Sequence, residues 1–313
     1  MSLASTATVV APPAPRPTLK ARLGRAVPIL VLAPSLLATF VYVFVFTGWT
    51  LYISLSNSTL LPTYGFVGFE HYRALWANHR WNIAYTNLAL FSVFYVIGAM
   101  AIGLLLAILI DQRVRGEALW RTIFLYPLAV SFIVTGTVWG WLYNPTSGIE
   151  FLVRGLGWSG FRFALTIDRT YAIYAIVLTG IWQSSGFAMA LFLAGLRSVD
   201  PDLVKAARID GASTVRTYRK VILPTIAPLF IAVLVVLLQF AIKTFDLAIA
   251  LTGGGPGIAT TFPALYVYDL MFQRGEIAEG AAAAMMILAA LAVVLVPYTV
   301  WLVVRRSMER ARG

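Results

Sequence analysis

The sequence contains no cysteine. Disulfide scaffolds, thiolate-ligated zinc and thiol catalysis are therefore excluded. Charge is scarce too: Asp, Glu, Lys and Arg make up 12% of the 313 residues, about half the share in an average soluble protein. Histidine occurs only at His71 and His79, off the three- or four-residue spacing that a metal pair on one helix face requires. No HExxH motif and no Ser-His-Asp arrangement suggests itself. The run Gly253-Gly254-Gly255-Pro256-Gly257 lacks the Gly-Lys-Ser/Thr ending of a phosphate loop. Glu70, Glu150 and Asp168 form no convincing pair for acid–base work. A membrane-embedded glycosyl or acyl transferase, which needs such groups at the interface, is disfavoured, and no nucleotide site is visible.

What remains is apolar. Hydrophobic residues account for 60% of the chain and the mean hydropathy is +0.82, which excludes a soluble globular domain and a disordered chain. Six stretches approach the ~20 apolar residues that a spanning helix needs. They are Ala26 to Leu55, Ala84 to Ile110, Leu119 to Tyr143, Tyr171 to Leu196, Val221 to Leu251 and Ala281 to Val304. Barrel strands would be shorter and would alternate in polarity. The expected class is an all-α integral membrane protein with six transmembrane helices. Residues 1–25, with Pro12, Pro13, Pro15 and Pro17 and no charge before Arg16, read as a disordered tail rather than a secretory signal. Residues 26–313 form the membrane domain, whose first helix carries Pro28 and Pro34 early and is expected to start irregularly.

The net charge of +11 is a statement about topology. Most Lys and Arg fall in the tail, the second loop, the fourth loop and the C-terminus, whereas the opposite loops hold only Arg73, Arg80, Arg154, Arg162, Arg169 and Arg274. Positive charge stays on the cytoplasmic side, so both termini are expected inside. No basic–aromatic interleaving points to nucleic acid.

The fourth loop, within residues 197–221, has internal order. Asp200-Pro201 is a helix start, because Asp accepts from unpaired N–H groups and Pro suits the first helical position. Leu203, Ala206 and Ala207 are spaced to make a weakly apolar face. Asp210-Gly211 ends the helix, with Gly able to take positive φ, and Ser213 caps a second short helix. Two short helices with a tight turn are expected on the cytoplasmic face.

The string Lys205-Ala206-Ala207-x-x-Asp210-Gly211-Ala212, trailed by Ile222-Leu223-Pro224, resembles the EAA loop of binding-protein-dependent ABC importer permeases. That resemblance covers residues 84–305, and the first span more loosely. It implies the type I ABC importer permease fold. It also implies that Lys205, Ala206, Ala207, Asp210, Gly211 and Ala212 form a coupling loop that docks on an ATPase subunit. The family usually has Glu where Lys205 stands, a reversal of charge. Trp182-Gln183-Ser184-Ser185-Gly186-Phe187, Phe192-Leu193-Ala194-Gly195-Leu196, Ile242-Lys243-Thr244-Phe245-Asp246-Leu247, Trp141-Leu142-Tyr143-Asn144-Pro145 and Thr252 to Gly257 look like the carbohydrate permeases of this class, of glucose/mannose or α-glucoside type. The resemblance implies the first of two membrane subunits in a bacterial cytoplasmic (inner) membrane. Its partners would be a second homologous permease, two ATPase subunits that bind ATP and Mg, and an extracytoplasmic sugar-binding protein. This chain itself would be no enzyme and hold no cofactor.

Lys243 and Asp246 fall inside the fifth stretch, where a charge costs about 2.5–3.5 kcal/mol. Read on one continuous helix, they share a face with Gln239 and can pair. One reading is a polar stripe facing a sugar pathway, with Trp182 and Gln183 supplying an aromatic plane and an amide. The other is a structural ion pair. An ion-coupled secondary carrier using the two charges as a relay is the alternative function, although the inverted repeats common in such carriers are not seen. Gly98, Gly103, Gly136 and Gly140 read as sites of close helix packing.

Overall fold

The computed structural model describes residues 31–61, 63–112 and 114–312. The expected Pro-rich tail, and the start of the expected first span with Pro28, lie outside them. Among the described residues the chain is helical. Its one extended pairing is an isolated antiparallel bridge between Ser56 and Phe66. The chain divides into two compact units, one up to Thr50 and one from Leu51 onward.

Among the described residues the first unit is made of helix α1 (Val31–Ser54) as far as Thr50. A π-helical turn interrupts it at Val41–Val45. Leu36, Phe40, Tyr42 and Trp49 are exposed along its length, as suits a helix solvated by lipid.

The second unit begins with α2 (Glu70–Ala77) and the long α3 (His79–Asp111). Asn78 caps α3 by accepting from the N–H groups of Arg80 and Trp81. There follow α4 (Glu117–Ala129), α5 (Phe132–Leu142), α6 (Ile149–Gly155) and α7 (Ala172–Arg197). After α8 (Pro201–Ile209) come α9 (Thr214–Thr225), α10 (Ala227–Ile242) and α11 (Asp246–Leu251). The chain closes with α12 (Pro263–Tyr268), a π-helical segment Asp269–Arg274, and α13 (Ile277–Arg312).

Among the described residues four helices are long and apolar enough to cross a membrane, and up to six spans result if each of two bent pairs counts as one. Two of the expected continuous spans are in fact broken. The third bends by 98° between α4 and α5, where Ser131 starts a new helix by accepting from the Val134 N–H. The fifth is broken twice. It bends by 69° at Ile226, because Pro228 cannot donate to the preceding turn, and it breaks again at residues 243–245, between α10 and α11.

The main core lies where α3 and α7 meet. Phe91, Tyr95, Ile176, Met189, Phe192 and Leu237 are buried there. The Phe91 and Tyr95 rings stack at 4.9 Å, and the Tyr95 hydroxyl donates to Ser184 Oγ at 2.7 Å. In lipid, apolar transfer gives little drive between helices, so small residues that permit close packing matter more. A Cβ at Gly103 of α3 would lie 2.5 Å from Ala188 Cβ and 2.8 Å from the Met189 nitrogen. One at Gly98 would run into the Ile181 side chain, and one at Gly186 into the Phe124 carbonyl of α4. At Gly136 of α5 it would sit 2.7 Å from Ala250 of α11. The expected close packing thus holds at Gly98, Gly103 and Gly136. Gly140 has room, with nothing nearer than 3.9 Å. A smaller core joins Leu75, Trp81, Tyr266, Leu270, Ala282 and Ala283.

Candidate functional site

The fourth loop folds from its own sequence. Asp200 accepts from the Asp202 N–H at 2.9 Å, and Pro201 occupies the first helical turn of α8. At the other end the Ala212 N–H reaches the Ala207 carbonyl and the Gly211 N–H reaches the Arg208 carbonyl, both at 3.0 Å. This pair of bonds is the Schellman closure, which requires a left-handed residue at C′. Gly211 supplies it with φ +76°. Ser213 then caps α9 through the Arg216 N–H. Thr217 and Ile222 anchor the following segment by burial, whereas no residue of α8 is buried. Lys205, Ala206, Asp210 and Gly211 are exposed, and Ala207 and Ala212 are half-buried. Lys205 Nζ bonds Asp202 Oδ1 at 2.8 Å, with both side chains largely in solvent.

Helix α8 is thus held at both caps and bare on its outer face. Residues 99–310 match the model of the binding-protein-dependent transport system inner membrane component. The chain belongs to that family. Among relatives of this permease, a probable ABC transporter permease protein of Pyrococcus horikoshii is 38% identical, over 87% of this chain and 94% of its own length. The xylose/arabinose import permease protein XacH of Haloferax volcanii is 36% identical, over 80% of each chain. In fold, the permease matches a bacterial ABC transporter involved in the import of the acidic polysaccharide alginate. The TM-score is 0.77 at 20% identity, covering 90% of this chain and 97% of the other. The permease is thus an integral, multi-pass membrane protein of the type I ABC importer fold, and the ion-coupled carrier reading is not favoured.

The polar residues of the fifth stretch are arranged differently from the expectation. Lys243 does not share a continuous helix with Asp246: it is the C-cap of α10, and Asp246 is the first residue of α11. Among the described residues no ion pair joins them. Each charge instead sits at a helix end of opposite sign, Lys243 at the negative C-terminus of α10 and Asp246 at the positive N-terminus of α11. Both side chains are exposed, and Gln239 is half-buried one turn earlier. Trp182 is partly exposed, edge-on to Trp139 at 5.6 Å. Gln183 turns the other way. It is 1% exposed, and its Nε2 donates to the Val130 carbonyl at 2.8 Å, at the break between α4 and α5.

A second group went unseen in the sequence. Near α8, the Tyr218 hydroxyl donates to Asp111 Oδ2 at 2.5 Å and accepts from Gln112 Nε2 at 2.8 Å. Arg197 pairs with Glu117 at 2.8 Å and lies 3.9 Å from Asp111. Asp111, Glu117, Arg197, Val204, Lys205 and Arg208 help to line a cleft of about 860 Å³ beside α8. The partners are scattered through the chain with no shared spacing, so no local pattern marks them.

In the loop that carries α6, Glu150 accepts from the Phe163 and Ala164 N–H groups at 2.8 and 2.9 Å and pairs with Arg154 at 2.6 Å. The backbone bond from Phe163, above all, holds its carboxyl below the usual carboxylate range.

Proposed function

We propose that this permease is the first of two membrane subunits of an ATP-driven sugar importer. The sugar is a glucose/mannose-type hexose or, as the alternative, an α-glucoside such as trehalose, maltose or sucrose. The observation that carries the reading is α8, a short helix fixed by Asp200 and Gly211 and exposed where a partner would dock. The carbohydrate-permease segments around Trp182 and Lys243 and the sugar named for the Haloferax relative support the substrate class.

In this reading both termini and α8 face the cytoplasm. Two ATPase subunits bind ATP and Mg, and their closure moves α8. The spans then exchange an inward-open for an outward-open arrangement, a two-state change biased by ATP at one end and sugar at the other. A binding protein releases sugar into the cavity, where Gln239, Lys243, Asp246 and Trp182 offer amide, charge and aromatic plane.

The test is to purify the tagged permease in mild detergent with its partners, reconstitute the complex, and measure ATP hydrolysis with and without the loaded binding protein. Co-purifying ATPases and hydrolysis stimulated by that protein are expected, and a thermal-shift screen of the binding protein then names the sugar. Gly211→Leu should insert normally yet lose uptake, because a side chain at φ +76° strains the turn that closes α8. A stable, ATPase-free homo-oligomer that takes up solute on an ion gradient would overturn the reading.

A further inference from the structure

We infer that the side-chain chain Tyr218–Asp111–Arg197–Glu117 is the linkage that carries movement of the coupling helix into the spans. The inference rests on the importer reading and deepens it by naming positioning residues. Helix α8 has no buried residue, so its own apolar hold on the spans is weak. A push on α8 passes through the Gly211 turn and α9 to Tyr218, which begins the π-helical segment Tyr218–Ile222. There it meets the first strong polar contact with another helix, the 2.5 Å bond from the Tyr218 hydroxyl to Asp111. Asp111 ends α3, Arg197 ends α7 and Glu117 begins α4. Three helix ends therefore meet at one basic side chain, and the coupling segment reaches it through one hydroxyl.

The electrostatics favour a linkage over a static brace. Asp111 is an acid at the negative end of its own helix, a placement the helix dipole opposes. Its charge is stabilised by groups that come from other elements, Tyr218 and Arg197. If Tyr218 withdraws, Asp111 keeps only the 3.9 Å contact to Arg197 and has reason to draw that guanidinium from Glu117. The contacts thus have two arrangements available, and a two-state element that both sites bias is what coupling requires.

The experiment compares wild type, Tyr218→Phe, Asp111→Asn and the double variant, each in the reconstituted complex with its ATPases and loaded binding protein. ATP hydrolysed and sugar taken up are measured together. Tyr218→Phe keeps the ring and removes only the hydroxyl, so it should leave assembly unchanged. It should raise the ATP used per sugar at least about twofold, the lower end of the shift in coupling that such positions produce. Asp111→Asn should do the same, and the double variant should be no worse than either single one. Wild-type coupling in Tyr218→Phe, or effects of the two substitutions that multiply independently, overturns the linkage while leaving the importer intact. A wild-type complex that shows no ATP-driven uptake overturns the importer reading and the linkage with it.

Discussion

Two breaks in the helical spans are held in opposite ways. Between α4 and α5 the chain turns by 98°, and the turn is fastened from outside: Gln183 of α7 takes up the Val130 carbonyl, and Gly186, one turn further along α7, lies against the Phe124 carbonyl. Between α10 and α11 the fastening is local. The Thr244 hydroxyl donates to the Phe240 carbonyl and the Lys243 N–H to the Gln239 carbonyl, and among the described residues no side chain from another helix hydrogen-bonds residues 243–245. The first break is a fixed knee. The second is bonded only within its own chain segment, although α11 beyond it packs on α5 through Gly136 and Ala250, and it carries the two exposed charges.

The contrast can be broken most forcefully at Gly186. Leucine there must displace the α4 backbone, a cost of about 1–3 kcal/mol or more, so Gly186→Leu should yield little folded protein on size-exclusion in detergent. Gly140→Ala, whose Cβ would meet only Leu251 at 3.9 Å, should run as wild type. A well-folded Gly186→Leu permease would mean that the first knee is not fixed. Next in size is Gln183→Leu, which leaves the Val130 carbonyl buried without its donor and should lower stability by about 1–3 kcal/mol, read as a reduced thermal midpoint. Ser131→Ala removes the α5 cap and should cost about 1 kcal/mol in the same assay. At the second break, Lys243→Gln should change stability by no more than about 1 kcal/mol, the scale of a charge at a helix end, while Asp246→Asn should alter the apparent affinity for sugar. Transport at wild-type affinity in Asp246→Asn would remove that residue from the pathway.

The smallest effect appears only in acid. Because the folded pKa of Glu150 is depressed, its carboxylate stabilises the α6 loop above the unfolded value near about 4.3. That contribution is lost as pH falls through the lower folded value. A pH titration of the thermal midpoint should show it, and Glu150→Gln should abolish that component.

The two short helices around Gly211 were legible in the sequence because everything that shapes them is local. Asp200, Pro201, Gly211 and Ser213 act within a few residues of themselves, and capping chemistry reads directly from such spacing. The breaks at Val130 and Lys243 were not legible, because a long apolar run hides an interruption. For the fifth stretch a cue did exist: a Lys followed three residues later by an Asp fits a helix end and a helix start as well as an ion pair. The packing of Gln183 was hidden for a different reason. Sequence shows an amide inside a span and cannot show whether a broken backbone elsewhere, here at Val130, needs its donor. Tyr218 and Asp111 are 107 positions apart, and only the meeting of α3 with the segment after the coupling helix brings them together.

The turn at Gly211 bears on how cells make this protein. Ile209 and Val215 flank Gly211 and stand 86% and 76% exposed. Bare aliphatic side chains on a water-facing surface invite aggregation. A copy synthesised without its ATPase partners would present this patch to chaperones and proteases, so the accumulation of the permease should follow the supply of its partners. Stoichiometry would then be set by removal of the surplus chain as well as by synthesis.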